Sequence, residues 1–227
     1  ALWDQSNNSL SLARDRMGEK PLYWGWAGND IVFGSELKAL SAHPDFNKEI
    51  CNESLSQYFR FVYIPAPRSI YKNIYKIEPG TILEVNGRPP TNPPNNPLRP
   101  GESLKDLSIR KYWNLNKAFE KGITNMCTDE KEAIVITDKA ISNAVKNQMM
   151  SDMPLGAFLS GGIDSSTIVA LMQKYSNKPV QTFTVGFKNS KYDESIHAEY
   201  VAKHLKTEHT TLHVTDSDAR EIIPRLT

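Results

Sequence analysis

Ser160-Gly161-Gly162-Ile163-Asp164-Ser165-Ser166 is the stretch of this chain whose residue types and spacing point most directly to chemistry. It follows the apolar run 155–159 and precedes Ile168, Val169, Leu171 and Met172 at helical spacing. A strand that ends in a Gly-rich turn and feeds a helix is a physical anion site. The first N–H groups of the helix have no intrahelical partner, and the aligned peptide dipoles favour negative charge there. Gly161 and Gly162 carry no Cβ, so their amides can approach phosphate oxygens, and the hydroxyls of Ser160, Ser165 and Ser166 supply further donors. Asp164 is the odd member. A carboxylate beside phosphates repels them unless it holds Mg²⁺, which offsets the charge of both. The loop lacks the Lys of a Walker A sequence, so the P-loop ATPase mechanism does not follow. A Gly-Gly turn entering a capped helix is also ordinary connection chemistry, and the residues by themselves leave the two readings level.

The elements around the loop set its position. Asp129 and Glu132 have the spacing of a capping box, and Ala133, Thr137, Ala140, Ile141, Ala144, Val145 and Gln148 form a helical stripe behind them. Residues 155–159 read as a buried strand. Residues 180–187, with Phe183, Val185 and Phe187 alternating, read as a second, and 209–214 as a third. Between these last two falls a helix bearing Ile196, Tyr200, Val201 and Leu205 after Asp193-Glu194, and another helix starts at Asp218. Strand, helix, strand, helix, strand is the order of a parallel, doubly wound sheet, whose ligands bind at the carboxyl ends of the strands.

The first half has a different rhythm. Short strands at 9–13, 22–26, 31–33 and 80–85, joined by tight turns, favour an antiparallel sheet. Asn52 is placed to cap a helix bearing Leu55, Tyr58, Phe59 and Val62. Residues 89–100 hold six of the fourteen prolines and read as an exposed loop or linker. A last strand is expected at 112–115, and a domain boundary between 116 and 128. The chain is therefore divided into residues 1–120 and 121–227.

Composition excludes several classes. The 27 basic and 26 acidic side chains of the 227 residues leave a net charge of +1, too little to drive binding to a nucleic-acid backbone. No apolar run approaches the roughly 18 residues of a membrane span, and no secretory signal opens the chain. Cys51 and Cys127 form neither a disulfide framework nor a metal-ligand pattern, so each is expected to be a packed or surface thiol in a cytoplasmic, soluble protein. Arg14-Asp15-Arg16 reads as a charged turn, His197, His204 and His209 as surface residues, and Trp3, Trp24, Trp26 and Trp113 as packing residues.

Ser160-Gly161-Gly162-Ile163-Asp164-Ser165 resembles the SGGxDS pyrophosphate loop of the ATP pyrophosphatase family. Residues 13–23, Ala-Arg-Asp-Arg-Met-Gly-Glu-Lys-Pro-Leu-Tyr, are similar to the ARDRxGxKPLYY signature of class II (N-terminal-nucleophile) glutamine amidotransferase domains, and 34–40 continue that similarity. Amidotransferase first and SGGxDS second is the order of the glutamine-hydrolysing asparagine synthetase family. The resemblance spans nearly the whole chain, including Phe183-Thr184-Val185-Gly186-Phe187. It implies the C-terminal part of an N-terminal-nucleophile-type antiparallel β domain (α+β), then the first βαβαβ portion of a doubly wound α/β ATP pyrophosphatase domain.

The resemblance also implies a reaction. Glutamine is hydrolysed in the first domain, and ammonia travels to the second. There ATP and Mg²⁺ adenylate the side-chain carboxylate of aspartate, and ammonia displaces AMP. Ser160, Gly161, Gly162, Asp164 and Ser165 match the pyrophosphate loop, with Asp164 as the metal ligand. Phe158, Leu159 and Val185 match positions near the adenine nucleotide. The implied partners are glutamine or ammonia, aspartate or a related carboxylate, and ATP, with a homo-oligomer allowed.

The chain also departs from the family. The glutaminase nucleophile is a Cys at the mature N-terminus, whereas residue 1 here is Ala, so no glutaminase catalytic residue is expected in this chain. The glutamine-binding segment ahead of Arg14 and the bulk of the synthetase domain after Thr227 are missing, which reads as an internal fragment inactive by itself. Alternatives are a relative that amidates a sugar acid, a β-lactam-forming relative, or a nucleotide-binding remnant.

Overall fold

In the computed structural model, which describes residues 1–187 and 193–226, the alternation of Ser9-Leu10-Ser11-Leu12 is realised as an antiparallel strand with its leucines toward a core. The described residues form two units, Ala1–Met126 and Cys127–Thr227. No described helix is long and apolar enough to cross a membrane.

The first unit holds two antiparallel sheets. Five strands run in the order β1 (Leu2–Asp4), β2 (Ser9–Ala13), β6 (Thr81–Asn86), β8 (Leu107–Lys111), β7 (Ser103–Leu104), and three in the order β4 (Asp30–Gly34), β3 (Tyr23–Ala27), β5 (Ile74–Lys76). One buried cluster draws on both: Leu12, Leu83, Val85, Leu107 and Ile109 from the first, Trp24, Trp26 and Tyr75 from the second. The three rings pack at tilted or edge-on angles, with centroids 5.3–6.3 Å apart. Burial pushes the Tyr75 phenol up from its ordinary 10.0 to about 12. An acid whose pKa is raised on folding stabilises the fold fully below its unfolded value, and that stabilisation is lost as pH climbs from 10 toward about 12. Tyr75→Phe is therefore expected to flatten the alkaline fall in stability across that window, read by urea unfolding at a series of pH values.

Arg14-Asp15-Arg16 does hold a turn. Arg14 donates to the carbonyls of Gly18, Lys20 and Ile77 at 2.7–3.0 Å, and the Asp15 carboxylate accepts from the amides of Glu19 and Lys20. Those amides keep the Asp15 carboxyl below its usual range.

Three expectations for this unit need correction. Residues 89–100 are the expected loop without regular structure, but parts of it pack on the unit rather than lying exposed. Trp26 Nε1 donates to the Pro90 carbonyl at 2.7 Å, Tyr75 Oη reaches the Pro94 carbonyl at 3.5 Å, and Leu98 packs on the core. Prolines have no N–H to offer a sheet, yet their carbonyls still accept hydrogen bonds. Residues 112–115 are no strand: the amides of Tyr112 and Trp113 both donate to the Gly80 carbonyl, and Asn114 caps a helix, α3 (Leu115–Thr124), through its Oδ1. In α2 (Asn52–Phe61) the capping position is Cys51 rather than Asn52. The apolar residues expected on this helix, Leu55, Tyr58, Phe59 and, at its C-cap, Val62, are exposed.

The second unit is a three-stranded parallel sheet in the order β11 (Glu208–Val214), β10 (Gln181–Phe187), β9 (Gly156–Phe158). The linking helices are α5 (Ile163–Tyr175) and α6 (Ser195–Leu205), and α4 (Glu130–Gln148) precedes them. Leu159, Val169, Ala198 and Ala202 form one core, and Val145, Met172 and Val180 a second. Along β10 the alternation runs opposite to residue type. Thr182, Thr184 and Gly186 are buried, while Phe183, Val185 and Phe187 lie on the more exposed face. The buried hydroxyls are satisfied: Thr182 bonds Thr207 and His209, and Thr184 donates to the Leu159 carbonyl.

Here too the sequence expectations shift. The run 155–159 yields only a three-residue edge strand, and it is not buried throughout, since Phe158 is 82% exposed. Only the C-terminal part of the stripe on α4 enters the core, through Ile141 and Val145. Asp129 caps α4 by accepting from Lys131. The final helix, α7 (Asp216–Ile222), is capped by Thr215, with Asp218 as the third helical residue of a capping box rather than as the start.

Candidate functional site

The stretch from Ser160 to Ser166 joins the end of β9 to the start of α5. The register Phe158↔Phe183 puts this loop at the carboxyl end of the parallel sheet, where such sheets leave room for ligands. Strand alternation divides its two leading residues. Leu159 points into the helix layer and is 1% exposed, whereas Phe158 points to the other face of the sheet. Phe158, its partner Phe183 and Val185 thus share one exposed apolar face beside the loop.

Serine hydroxyls close the loop on itself. Ser160 Oγ and Ser165 Oγ lie 2.9 Å apart, the Ser160 amide donates to Ser165 Oγ, and the Gly162 amide donates to Ser160 Oγ at 3.3 Å. The first α5 amide to find an intrahelical acceptor is that of Ser166, on the Gly162 carbonyl at 3.0 Å. The amides of Ile163, Asp164 and Ser165 come earlier and have no such acceptor. Ser166 Oγ is buried and has no hydrogen-bond partner among the described residues. Asp164 sits exposed in the first turn, and its carboxylate makes no hydrogen bond or ion pair among the described residues.

The two glycines differ. Gly161 has φ +81°, and a Cβ there would meet backbone atoms of His197 and Ala198 at 2.8 Å, so both conformation and space exclude a side chain. Gly162 has an ordinary negative φ, and only Ser160 Oγ, at 3.4 Å, would touch its Cβ. Its freedom from a side chain leaves clear space above the amides at the start of α5.

The loop thus rests on the first turn of α6, a support not anticipated for the region of His197. A signal was present. Ser195, Ala198 and Ala202 are small residues on one helical face and all are buried, which allows this close approach. At the same end of the sheet Asp193 accepts from the amides of Ser195 and Phe187 at 3.0 and 3.4 Å, and hydrogen bonding with Ser195 holds its carboxyl below its usual range. It anchors the start of α6.

The geometry therefore brings Ser160, Gly161, Gly162, Asp164 and Ser165 into one donor-lined turn, with Phe158 and Val185 on the adjoining apolar face. It sets the Leu159 side chain apart, in the core. Chemically, such a turn can bind an oligophosphate, and the exposed apolar face can take a flat ring. No group of three or more His, Cys, Asp or Glu placed to hold a metal exists among the described residues.

Comparison with known proteins gives two family matches. Residues 1–92 match the glutamine amidotransferase domain and residues 137–227 match asparagine synthase. A protein of Methanocaldococcus jannaschii provisionally named asparagine synthetase (glutamine-hydrolysing) 2 is 35% identical over 227 residues, covering 99% of this chain and 40% of its own length. Asparagine synthetase (glutamine-hydrolysing) 3 of Bacillus subtilis is 33% identical over 199 residues, 85% of this chain and 28% of its own. Amidase chyE of Penicillium rubens is 26% identical over 239 aligned residues, 99% of this chain and 32% of its own. The chain spans two fifths or less of each of these relatives.

Proposed function

The chain belongs to the asparagine synthase family, and we propose that its second unit binds ATP for the activation of a carboxylate that is then amidated. In this reading residues 1–120 are the amidotransferase part and 121–227 the synthase part of a cytoplasmic enzyme. A side-chain carboxylate, that of aspartate, attacks the α-phosphorus of ATP, and pyrophosphate leaves. Ammonia from glutamine then displaces AMP to give the amide. The observation that carries the proposal is the turn itself: three amides without intrahelical acceptors, clear space above Gly162, and an unpartnered Ser166 hydroxyl, all at the end of a parallel strand.

Each residue has a task. The amides of Ile163, Asp164 and Ser165 point donors at the charge that grows on the departing pyrophosphate, and donors already in place stabilise that charge without reorganisation. Ser160 and Ser165 keep the turn in shape through their mutual hydrogen bond. Phe158, Phe183 and Val185 offer an apolar shelf for the adenine ring, and Leu159 serves through its backbone, whose carbonyl is tied to Thr184. Asp164 would hold Mg²⁺. A single carboxylate suits that ion, which takes its remaining ligands from phosphates and water. When bound, Mg²⁺ supplies neutralisation of phosphate charge.

Asp164→Asn tests this assignment. The variant is expected to bind Mg-ATP about tenfold more weakly, about 1.4 kcal/mol. Binding of ATP in the presence of a chelator should hold steady or tighten, because a repelling carboxylate has gone. Titration calorimetry of the parent and variant chains reads both, and equal Mg-ATP affinities would remove Asp164 from the metal role. The likeness to an amidase across 99% of the chain favours one second reading, in which the same loop activates a carboxylate other than aspartate, such as a sugar acid or a β-lactam precursor.

A further inference from the structure

Beside the N-terminal end of α2, in the first unit, lies a polar cavity of about 200 Å³ that the proposed function does not use. Cys51, Ser54, Ser69 and Tyr75 line it as buried residues, and Glu53 and Arg68 bring opposite charges to it. Three of these groups lack the partners they would ordinarily have. Ser54 is fully buried, and its hydroxyl has no hydrogen-bond partner among the described residues. A buried hydroxyl left this way is costly, which marks the site as built for a polar guest. Arg68 has no carboxylate within ion-pair distance among the described residues, and its Nη1 donates only to the weak acceptor Cys51 Sγ, at 3.7 Å. Glu53 has no cation within that distance either, and accepts from the Cys51 thiol at 3.1 Å. Lys72, also on the cavity, is already engaged by Glu49.

A second cavity of about 470 Å³ shares Arg68, Asn96 and Pro97 with the first. It contains Gln57, one turn along α2 from Ser54, and Gln57 Oε1 is likewise buried without a partner. Unpartnered polar atoms therefore recur on the inward face of this helix, on both sides of one guanidinium.

We propose that this cavity binds a small α-amino acid, with its carboxylate on Arg68, its ammonium on Glu53 and a polar side chain toward Ser54. The charges select the class. A simple anion would be drawn to Arg68 but repelled by Glu53, which the Cys51 hydrogen bond keeps ionised. A simple cation meets the reverse conflict. A molecule carrying both charges on adjacent atoms satisfies both, and the volume suits an amino acid rather than a nucleotide. The site lies wholly within residues 51–97 and stands apart from the ATP-binding reading.

Cys51 supplies the test, because an occupant on Arg68 and Glu53 would cover its sulfur, while exposed Cys127 serves as an internal reference. The intact chain is alkylated with iodoacetamide, and both cysteine peptides are quantified by mass spectrometry. L-Serine at about four times its Kd is expected to slow modification of Cys51 about fivefold and to leave Cys127 unchanged. Propionate and ethylamine, each carrying only one of the two charges, should give no protection. Glu53→Gln and Arg68→Gln, checked for folding by circular dichroism, should each remove the effect of L-serine. Protection by propionate or sulfate equal to that by L-serine would overturn the proposal in favour of an anion site. Should Cys51 resist alkylation in the free chain, calorimetric titration of L-serine decides. Saturable binding lost in Glu53→Gln supports the site, and no binding by the parent chain overturns it.

Discussion

Replacing Gly161 with alanine is expected to cost the second unit about 2–3 kcal/mol and to abolish the nucleotide binding proposed for its loop. Two effects add. The left-handed φ of +81° is disfavoured for any residue with a Cβ, and that Cβ would stand 2.8 Å from the backbone of His197 and Ala198. Backbone cannot swing aside as a side-chain tip can, so α6 would have to move away from the loop, taking buried Ala198 and Ala202 with it. Gly162→Ala is the control. It has an ordinary φ and an open surrounding, so it should leave stability within about 1 kcal/mol while crowding the space over the α5 amides. Urea unfolding by far-ultraviolet circular dichroism, paired with ATP titration, separates the two. A Gly161→Ala chain as stable as the parent would show that the loop does not depend on this close approach.

Trp24→Ala is expected to destabilise the first unit by about 3–5 kcal/mol. Trp24 is 1% exposed and packs against both Trp26 and Tyr75, which also contact each other, so its loss opens a cavity that these mutually held rings cannot close. All four tryptophans lie in residues 1–126, so fluorescence of the remaining three follows unfolding of this unit alone. A loss below 1 kcal/mol would mean that the cluster collapses freely into the space.

The loop was legible because its chemistry is local: small residues, hydroxyls and one carboxylate inside a strand-to-helix turn. What supports it was not. The contact of Gly161 with His197 spans 36 positions, and no periodicity marks a pair brought together by packing. Burial was misread where one residue type serves two purposes. Phe158 and Val185 look like core residues in sequence, yet they lie on the exposed face, while Thr182 and Thr184 are buried because hydrogen-bond partners await them. The stripe of Leu55, Tyr58, Phe59 and Val62 marks a helix, yet these side chains lie exposed, since periodicity reports a face and not what covers it. Strand β5 and the hairpin of β7 and β8 escaped notice because two to five residues carry too little alternation to stand out. Likewise, prolines at 89–100 argue against regular structure but say nothing about where their carbonyls go.

Strand β8 lies past residue 92, where the match to the glutamine amidotransferase domain stops, yet it is hydrogen-bonded along β6 from Val85 to Thr81 and contributes Leu107 and Ile109 to the core. The sheet is therefore longer than the stretch matched to the amidotransferase domain, while relatives such as the Methanocaldococcus jannaschii protein align across it and beyond. A gene cut at residue 92 would encode a protein with a bare sheet edge and with Leu83 and Val85 stripped of their neighbours, a template for aggregation. The end of the domain match and the end of the sheet fall at different residues here, and an amidotransferase unit must be cut by the second.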